Sequence, residues 1–97
     1  MAFLKRAEKD LDEILSYKAK FYAGTADRFL DELEAVLDNI AGNPHVYQVY
    51  IHNDRYRRAV VMDHLLFYRV HEKPHTVKVY RVLHGKRDIE KYLRPLS

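Results

Sequence analysis

The fold turns on one stretch: His64-Leu65-Leu66-Phe67-Tyr68-Arg69-Val70-His71-Glu72, then Lys73-Pro74-His75, then Thr76-Val77-Lys78-Val79-Tyr80-Arg81-Val82-Leu83. Two runs rich in β-branched and aromatic residues flank a short Pro-containing break, so they read as neighbouring antiparallel strands. Working upstream, Tyr56–Met62 has the same character and makes a third strand, entered from an Asn53-Asp54 turn. Val46–Ile51 is short and β-rich and is expected to be a strand as well. Downstream, Asp88–Leu93 is expected to form a last helical turn, stopped by Pro95. Strict alternation sorts the last strand into Val77, Val79, Arg81, Leu83 on one face and Lys78, Tyr80, Val82, His84 on the other. Both faces are partly apolar, so alternation does not say which one is covered, and either choice leaves aromatic and basic groups on the open face.

Before Gly42-Asn43-Pro44, a helix-stop and turn signal, the period changes. Ala7, Leu11, Ile14 and Leu15 recur at helical spacing, with Glu8, Lys9, Asp10, Asp12 and Glu13 on the other face. Ala23-Gly24 breaks the helix, Thr25 is the expected N-cap, and Phe29, Leu33, Val36, Leu37 and Ile40 form a second stripe. The short break implies an antiparallel helical hairpin. The expected class is therefore α+β: a helical hairpin packed on one face of a small twisted antiparallel sheet, with residues 1–97 as one domain.

Composition bounds the chemistry. Among 97 residues there is no Cys, which excludes disulfides, thiolate zinc sites and a thiol nucleophile, and fits a cytoplasmic protein. No apolar run approaches the roughly 18 residues of a membrane helix, and Met1-Ala2-Phe3-Leu4-Lys5-Arg6 gives no signal peptide. The net charge of +3 is mild, but it is unevenly placed. Residues 1–44 hold 6 basic and 9 acidic residues, whereas residues 45–97 hold 11 basic and 5 acidic. All six His and six of the eight Tyr also lie in the second half.

Two basic clusters stand out. Arg55-Tyr56-Arg57-Arg58 makes a local positive field whose guanidinium forks match phosphate oxygens, or else a charged edge strand that resists aggregation. His84-Gly85-Lys86-Arg87-Asp88 combines a proton-transfer group with two cations, and Gly85 would ease a tight exit from the strand. The bland alternative there is a basic turn in which Arg87 pairs with Asp88 or Asp63. The six His show no metal-ligand spacing, although His71 and His75 flank a turn. There is no phosphate-cradling Gly-rich loop, and Gly-x-Ser-x-Gly is absent.

Three runs then carry a family likeness: Tyr56-Arg57-Arg58-Ala59-Val60-Val61, Leu66-Phe67-Tyr68-Arg69-Val70, and Val79-Tyr80-Arg81-Val82-Leu83-His84-Gly85-Lys86-Arg87-Asp88. With Phe3-x-x-x-Ala7-x-x-Asp10-Leu11-x-x-Ile14 and Asn43-Pro44, the chain resembles the RelE/ParE toxin superfamily of bacterial type II toxin–antitoxin (plasmid stabilisation) modules. The resemblance implies a helical hairpin on a twisted antiparallel sheet. Family members usually begin with a longer strand before the Phe, where this chain has Met1–Leu4.

The resemblance implies one of two actions. One branch resembles ribosome-dependent ribonucleases that cut mRNA without metal or other cofactor, by attack of the 2′-OH on the adjacent phosphate. Carried onto matching positions, it makes Arg58, Arg87 and Tyr92 the catalytic candidates, with His84 as a proton-transfer group. Arg57, Arg81 and Lys86 would hold RNA phosphates. That branch often carries an Arg before its Leu-x-Tyr-x-Val strand core; here the stretch is Asp63-His64-Leu65-Leu66-Phe67-Tyr68, so His64 would take its place on RNA. The other branch poisons DNA gyrase by binding alone. The ribonuclease action is the first expectation, the gyrase action the alternative, and an inactive family member the third. In each toxin reading the partner is a cognate antitoxin, docked on the helix grooves or on the sheet edge near Met1–Leu4.

Overall fold

The computed structural model describes residues 1–73 and 75–93, with the side chain of Glu90 outside that description. The order is β1 (Ala2–Phe3), α1 (Lys5–Phe21), α2 (Thr25–Gly42), β2 (Arg57–Val61), β3 (His64–His71), β4 (Thr76–His84) and α3 (Ile89–Leu93). The class is α+β, with the helical hairpin on one sheet face as expected. The expected stop at Pro95 lies outside the described residues.

The sheet order is β1-β4-β3-β2. β2, β3 and β4 form the expected antiparallel meander. The sheet is nevertheless mixed rather than wholly antiparallel, because β1 lies parallel to β4, with Ala2 opposite Lys78 and Phe3 opposite Val79. The α1–α2 hairpin lies in the connection between these strands, and parallel neighbours need such a crossover.

Both helical stripes bury as the spacing predicts. Ala7, Phe29, Leu33, Val36 and Ile40 join Ala59, Val61, Leu66, Tyr68, Val77, Val79 and Val82 in the inner core, with Leu11, Ile14, Leu15 and Leu37 packed against it. Each large apolar side chain so buried contributes roughly 1.5–3 kcal/mol. The start of α2 is displaced by one residue from the expected cap. Gly24, at φ 78°, is the N-cap and Thr25 is already helical, without a side-chain capping bond. That left-handed turn is open to Gly at little cost, so the backbone there replaces the hydroxyl cap.

The alternation of β4 fails for a physical reason. Phe67 pairs with Arg81 while the next residue, Tyr68, pairs with Val79, so Tyr80 is an extra residue in the ladder. This β-bulge inverts the phase of the strand. Val77 and Val79 face the helices before it, and Val82 does so after it, whereas Leu83 faces outward.

Outward, a second core forms. Tyr50, Tyr56, Phe67, Leu83, Ile89 and Leu93 are buried together, with Leu65, Tyr80 and Tyr92 against them. α3 and the segment around Tyr50 therefore cover much of the face expected to be open.

Val46–Ile51 is not a strand. It makes one isolated bridge, Val49 to Arg57, plus Arg58 N–H to the Gln48 carbonyl (3.1 Å) and Tyr50 N–H to the Tyr56 carbonyl (2.8 Å). Side chains take the groups a ladder would use. The Arg57 guanidinium donates to the Tyr47 carbonyl at 2.7 Å, and the Tyr68 hydroxyl donates to the Pro44 carbonyl at 2.8 Å. The Asn53 turn forms as expected, its side-chain oxygen accepting from Arg55 N–H at 3.2 Å.

Candidate functional site

The tight β2–β3 turn at Met62-Asp63 and the exit of β4 at Gly85 meet at one end of the sheet, where the Gly85 N–H donates to the Asp63 carbonyl at 3.0 Å. Met62 holds φ 55°, the left-handed region that a two-residue hairpin demands, and its N–H is taken by the Glu32 carboxylate at 3.1 Å. Gly85 was expected to ease the exit through its freedom, but its φ is outside the left-handed region and a Cβ there would meet only the Asp63 carbonyl oxygen, at 3.5 Å. Two concavities open on either side of this junction.

The larger, about 1130 Å³, lies between the tip of the helical hairpin and the sheet. Its centre is Asp63, which faces His64 Nδ1 at 2.8 Å, Lys18 Nζ at 3.3 Å and His84 Nε2 at 3.4 Å. His64 is buried, edge-on to Phe29 (5.5 Å between ring centroids) and to His84 (5.1 Å). His84 Nδ1 accepts the Lys86 N–H at 3.1 Å, which leaves its Nε2 proton to face Asp63. Burial works against the Asp63 charge, but hydrogen bonds from His64, its own backbone and Lys18, with the His64 field, outweigh it and set its pKa at about 2. For His64, burial is the largest influence and holds the imidazole below its ordinary range despite the pull of Asp63.

Sequence reasoning placed the acidic residues on a solvated helix face and missed Asp10. Its carboxylate takes the Arg81 guanidinium at 2.7 and 3.0 Å and the Val82 N–H at 3.0 Å. The side chains of Arg81 and Asp10 are only 6% and 11% exposed. Asp10 was visible in the sequence only as part of a family pattern. Lys18, buried over the Phe29 ring at 5.5 Å, carried no signal beyond its position on the edge of the α1 stripe.

The smaller concavity, about 370 Å³, is on the outer side and is lined by Arg58, Arg87, Tyr50, His52, Leu65 and Gly85 among others. Arg87 borders both concavities. It makes no ion pair with Asp63 or Asp88 among the described residues; its guanidinium lies 5.2 Å from the Tyr92 ring, with Arg81 5.6 Å from the same ring.

The expected catalytic set is therefore divided. Arg58 pairs with Phe67, on the outer face. His84 pairs with His64, whose ring touches Phe29 of α2 on the inner face. Arg87 adjoins Tyr92, and it shares the smaller concavity with Arg58 and the larger with His84, whose carbonyl takes the Arg87 N–H at 3.0 Å. Of the residues expected to hold phosphates, Arg57 serves the Tyr47 carbonyl, Arg81 serves Asp10, His64 is buried beside Asp63, and only Lys86 is exposed. His71 and His75 do not meet across their turn; His75 lies 3.8 Å from Glu72. Among the described residues no group of three or more His, Asp or Glu is placed to hold a metal, and no helix is long and apolar enough to cross a membrane.

Comparison with known proteins agrees with this architecture. Toxin ParE1 of Mycobacterium tuberculosis, in strains CDC 1551 / Oshkosh and ATCC 25618 / H37Rv, is 35% identical over 69 residues, covering 70% of this chain and 69% of that protein. The solved chromosomal ParDE toxin–antitoxin system from P. aeruginosa shares the fold at TM-score 0.68 and 14% identity, over 86% of this chain and 91% of that one. The family model for the ParE toxin of the type II toxin–antitoxin system, parDE, matches residues 1–89, and the chain belongs to that family.

Proposed function

We propose that this chain is the toxin of a parDE-type module, held by a cognate antitoxin, and that it acts by binding DNA gyrase rather than by cutting mRNA. The observation that carries this reading is the placement of Arg58 and His84 on opposite faces of the sheet. In-line cleavage needs a proton acceptor, a proton donor and cations within hydrogen-bond reach of one phosphate. A four-stranded sheet stands between these two side chains. The apolar cover of Tyr50, Ile89 and Leu93 over the outer face adds to the argument, because it occupies space that an RNA strand would need. A toxin that acts by grip alone needs no such convergence, and family membership in the ParE branch favours that mode.

The antitoxin is expected to be acidic where it meets the strand half of the chain. Strand addition on this side would use the outer edge of β1, the end strand of the sheet, because β4 is already covered there. β1 pairs with Lys78 and Val79, Leu4 N–H donates to the Val79 carbonyl at 2.9 Å, and Asp10 takes the Val82 N–H.

The experiment is toxin added in excess to ribosomes programmed with a defined mRNA. Intact mRNA is the expected result. Cleavage that disappears in Arg87→Ala or His84→Ala would replace this reading with the ribonuclease one.

A further inference from the structure

The outer face of the sheet has a second region, away from the Arg58–Arg87 concavity. Here Arg69 on β3 and Lys78 on β4 stand directly opposite one another in the ladder. Like charges in that position repel and cost stability. Among the described residues no carboxylate pairs with either, although the chain pairs Arg81 and Lys18 with acids elsewhere. Both are half-buried, which strengthens their field relative to charges in free solvent.

An aromatic ring holds Arg69 in place. The Arg69 guanidinium lies 5.6 Å from the centre of the Tyr80 ring, and Tyr80 is the residue that the bulge adds to β4. Tyr56 meets the Tyr80 ring edge-on at 5.4 Å. Tyr56 is fully buried and, among the described residues, its hydroxyl has no hydrogen-bond partner. An orphaned buried hydroxyl is costly, and few occur in folded proteins. Burial pushes the Tyr56 hydroxyl up in pKa, opposed by the fields of Arg69 and Arg55.

We propose that Arg69, Lys78 and the Tyr56 hydroxyl form an anion site on the outer sheet face that takes a backbone phosphate of DNA. A guanidinium fork opposite an ammonium in the ladder, with a hydroxyl in the field of that guanidinium, offers donors for the several oxygens of a phosphate. Tyr80 beside them presents an aromatic surface of the kind that nucleic-acid sites use. The hydroxyl is closed from solvent in the free chain, so a phosphate reaches it only if the Tyr80 ring packed on Tyr56 moves aside. The inference stands on this face alone and does not depend on gyrase being the target.

The test is fluorescence anisotropy of a short fluorescein-labelled DNA duplex, titrated with the full chain over a range of salt concentrations. Arg69→Ala/Lys78→Ala, which removes one phosphate contact, is expected to lower the slope of log affinity against log salt by about one. Lys5→Ala/Lys9→Ala removes the same charge from the helix layer and is expected to leave the slope as it was. Should the double variant fail to fold, Lys78→Gln alone is expected to weaken DNA binding several-fold at low salt. Tyr56→Phe is expected to weaken DNA binding while keeping or raising the thermal midpoint, an outcome that a purely structural hydroxyl would not give. Equal slopes for the two double variants overturn the proposal. So does displacement of the duplex by polyglutamate as readily as by unlabelled DNA of equal charge, which would mark the face as a peptide site.

Discussion

The Asp10 carboxylate grips Arg81 through two hydrogen bonds, at 2.7 and 3.0 Å, across 71 residues of sequence. The same carboxylate caps the Val82 N–H at the point where β1 no longer covers the edge of β4. One side chain of α1 thus fixes the helical hairpin to the sheet and satisfies an edge donor beyond the end of β1.

Removal of one partner should therefore be severe. Asp10→Ala leaves a buried guanidinium without its counter-charge and is expected to destabilise the chain by about 3–5 kcal/mol. Asp10→Leu/Arg81→Leu is expected to cost less than Asp10→Ala, because no orphaned charge remains. Urea unfolding of the three proteins checks both statements.

How far the sequence reaches is clearest at β4. Its existence, its hairpin with β3 and the helical stripes follow from hydrophobic period, because many residues vote for each. The face of Arg81 and Val82 does not follow, because one inserted residue at Tyr80 inverts the phase and no local composition marks the bulge. Val46–Ile51 misleads for a related reason. Its β-rich composition is real, but Arg57 and Tyr68 hold the carbonyls of Tyr47 and Pro44, and tertiary bonds override the local preference. At the candidate site, the residue types at positions 58, 84, 87 and 92 are legible. Their separation onto different faces is not, since it depends on strand register and on where α3 lies.

Acid should loosen the fold through two groups. Asp63, at about 2 against an ordinary 3.8, is depressed in the folded state. Its contribution is complete above the ordinary value and is lost as pH falls towards 2. His64 is depressed below 6.5, so the unfolded chain takes its proton more readily, and stability falls as pH drops through 6.5. The thermal midpoint is expected to decline from neutral pH downward, and His64→Gln to remove the upper part of that decline. Differential scanning calorimetry across the pH range reads both.

Met62 tests the turn. A β-branched side chain is poorly suited to φ 55°, so Met62→Val is expected to destabilise by about 1–2 kcal/mol. Met62→Asn, which tolerates that region, is expected to lie closer to the parent chain. Chemical denaturation of the pair measures the difference.

Gly85 is the opposite case. Its added Cβ would make only an ordinary contact with the Asp63 carbonyl oxygen. Gly85→Ala is expected to change stability by no more than about 0.5 kcal/mol, which thermal unfolding would show.

The central claim, that this ParE-family chain acts by binding gyrase without chemistry of its own, is tested most directly by supercoiling of relaxed plasmid with purified gyrase. The account predicts that added toxin inhibits supercoiling and traps cleaved DNA, and that His84→Ala inhibits as well as the parent chain. Unchanged supercoiling at toxin excess, with no trapped breaks, would contradict it.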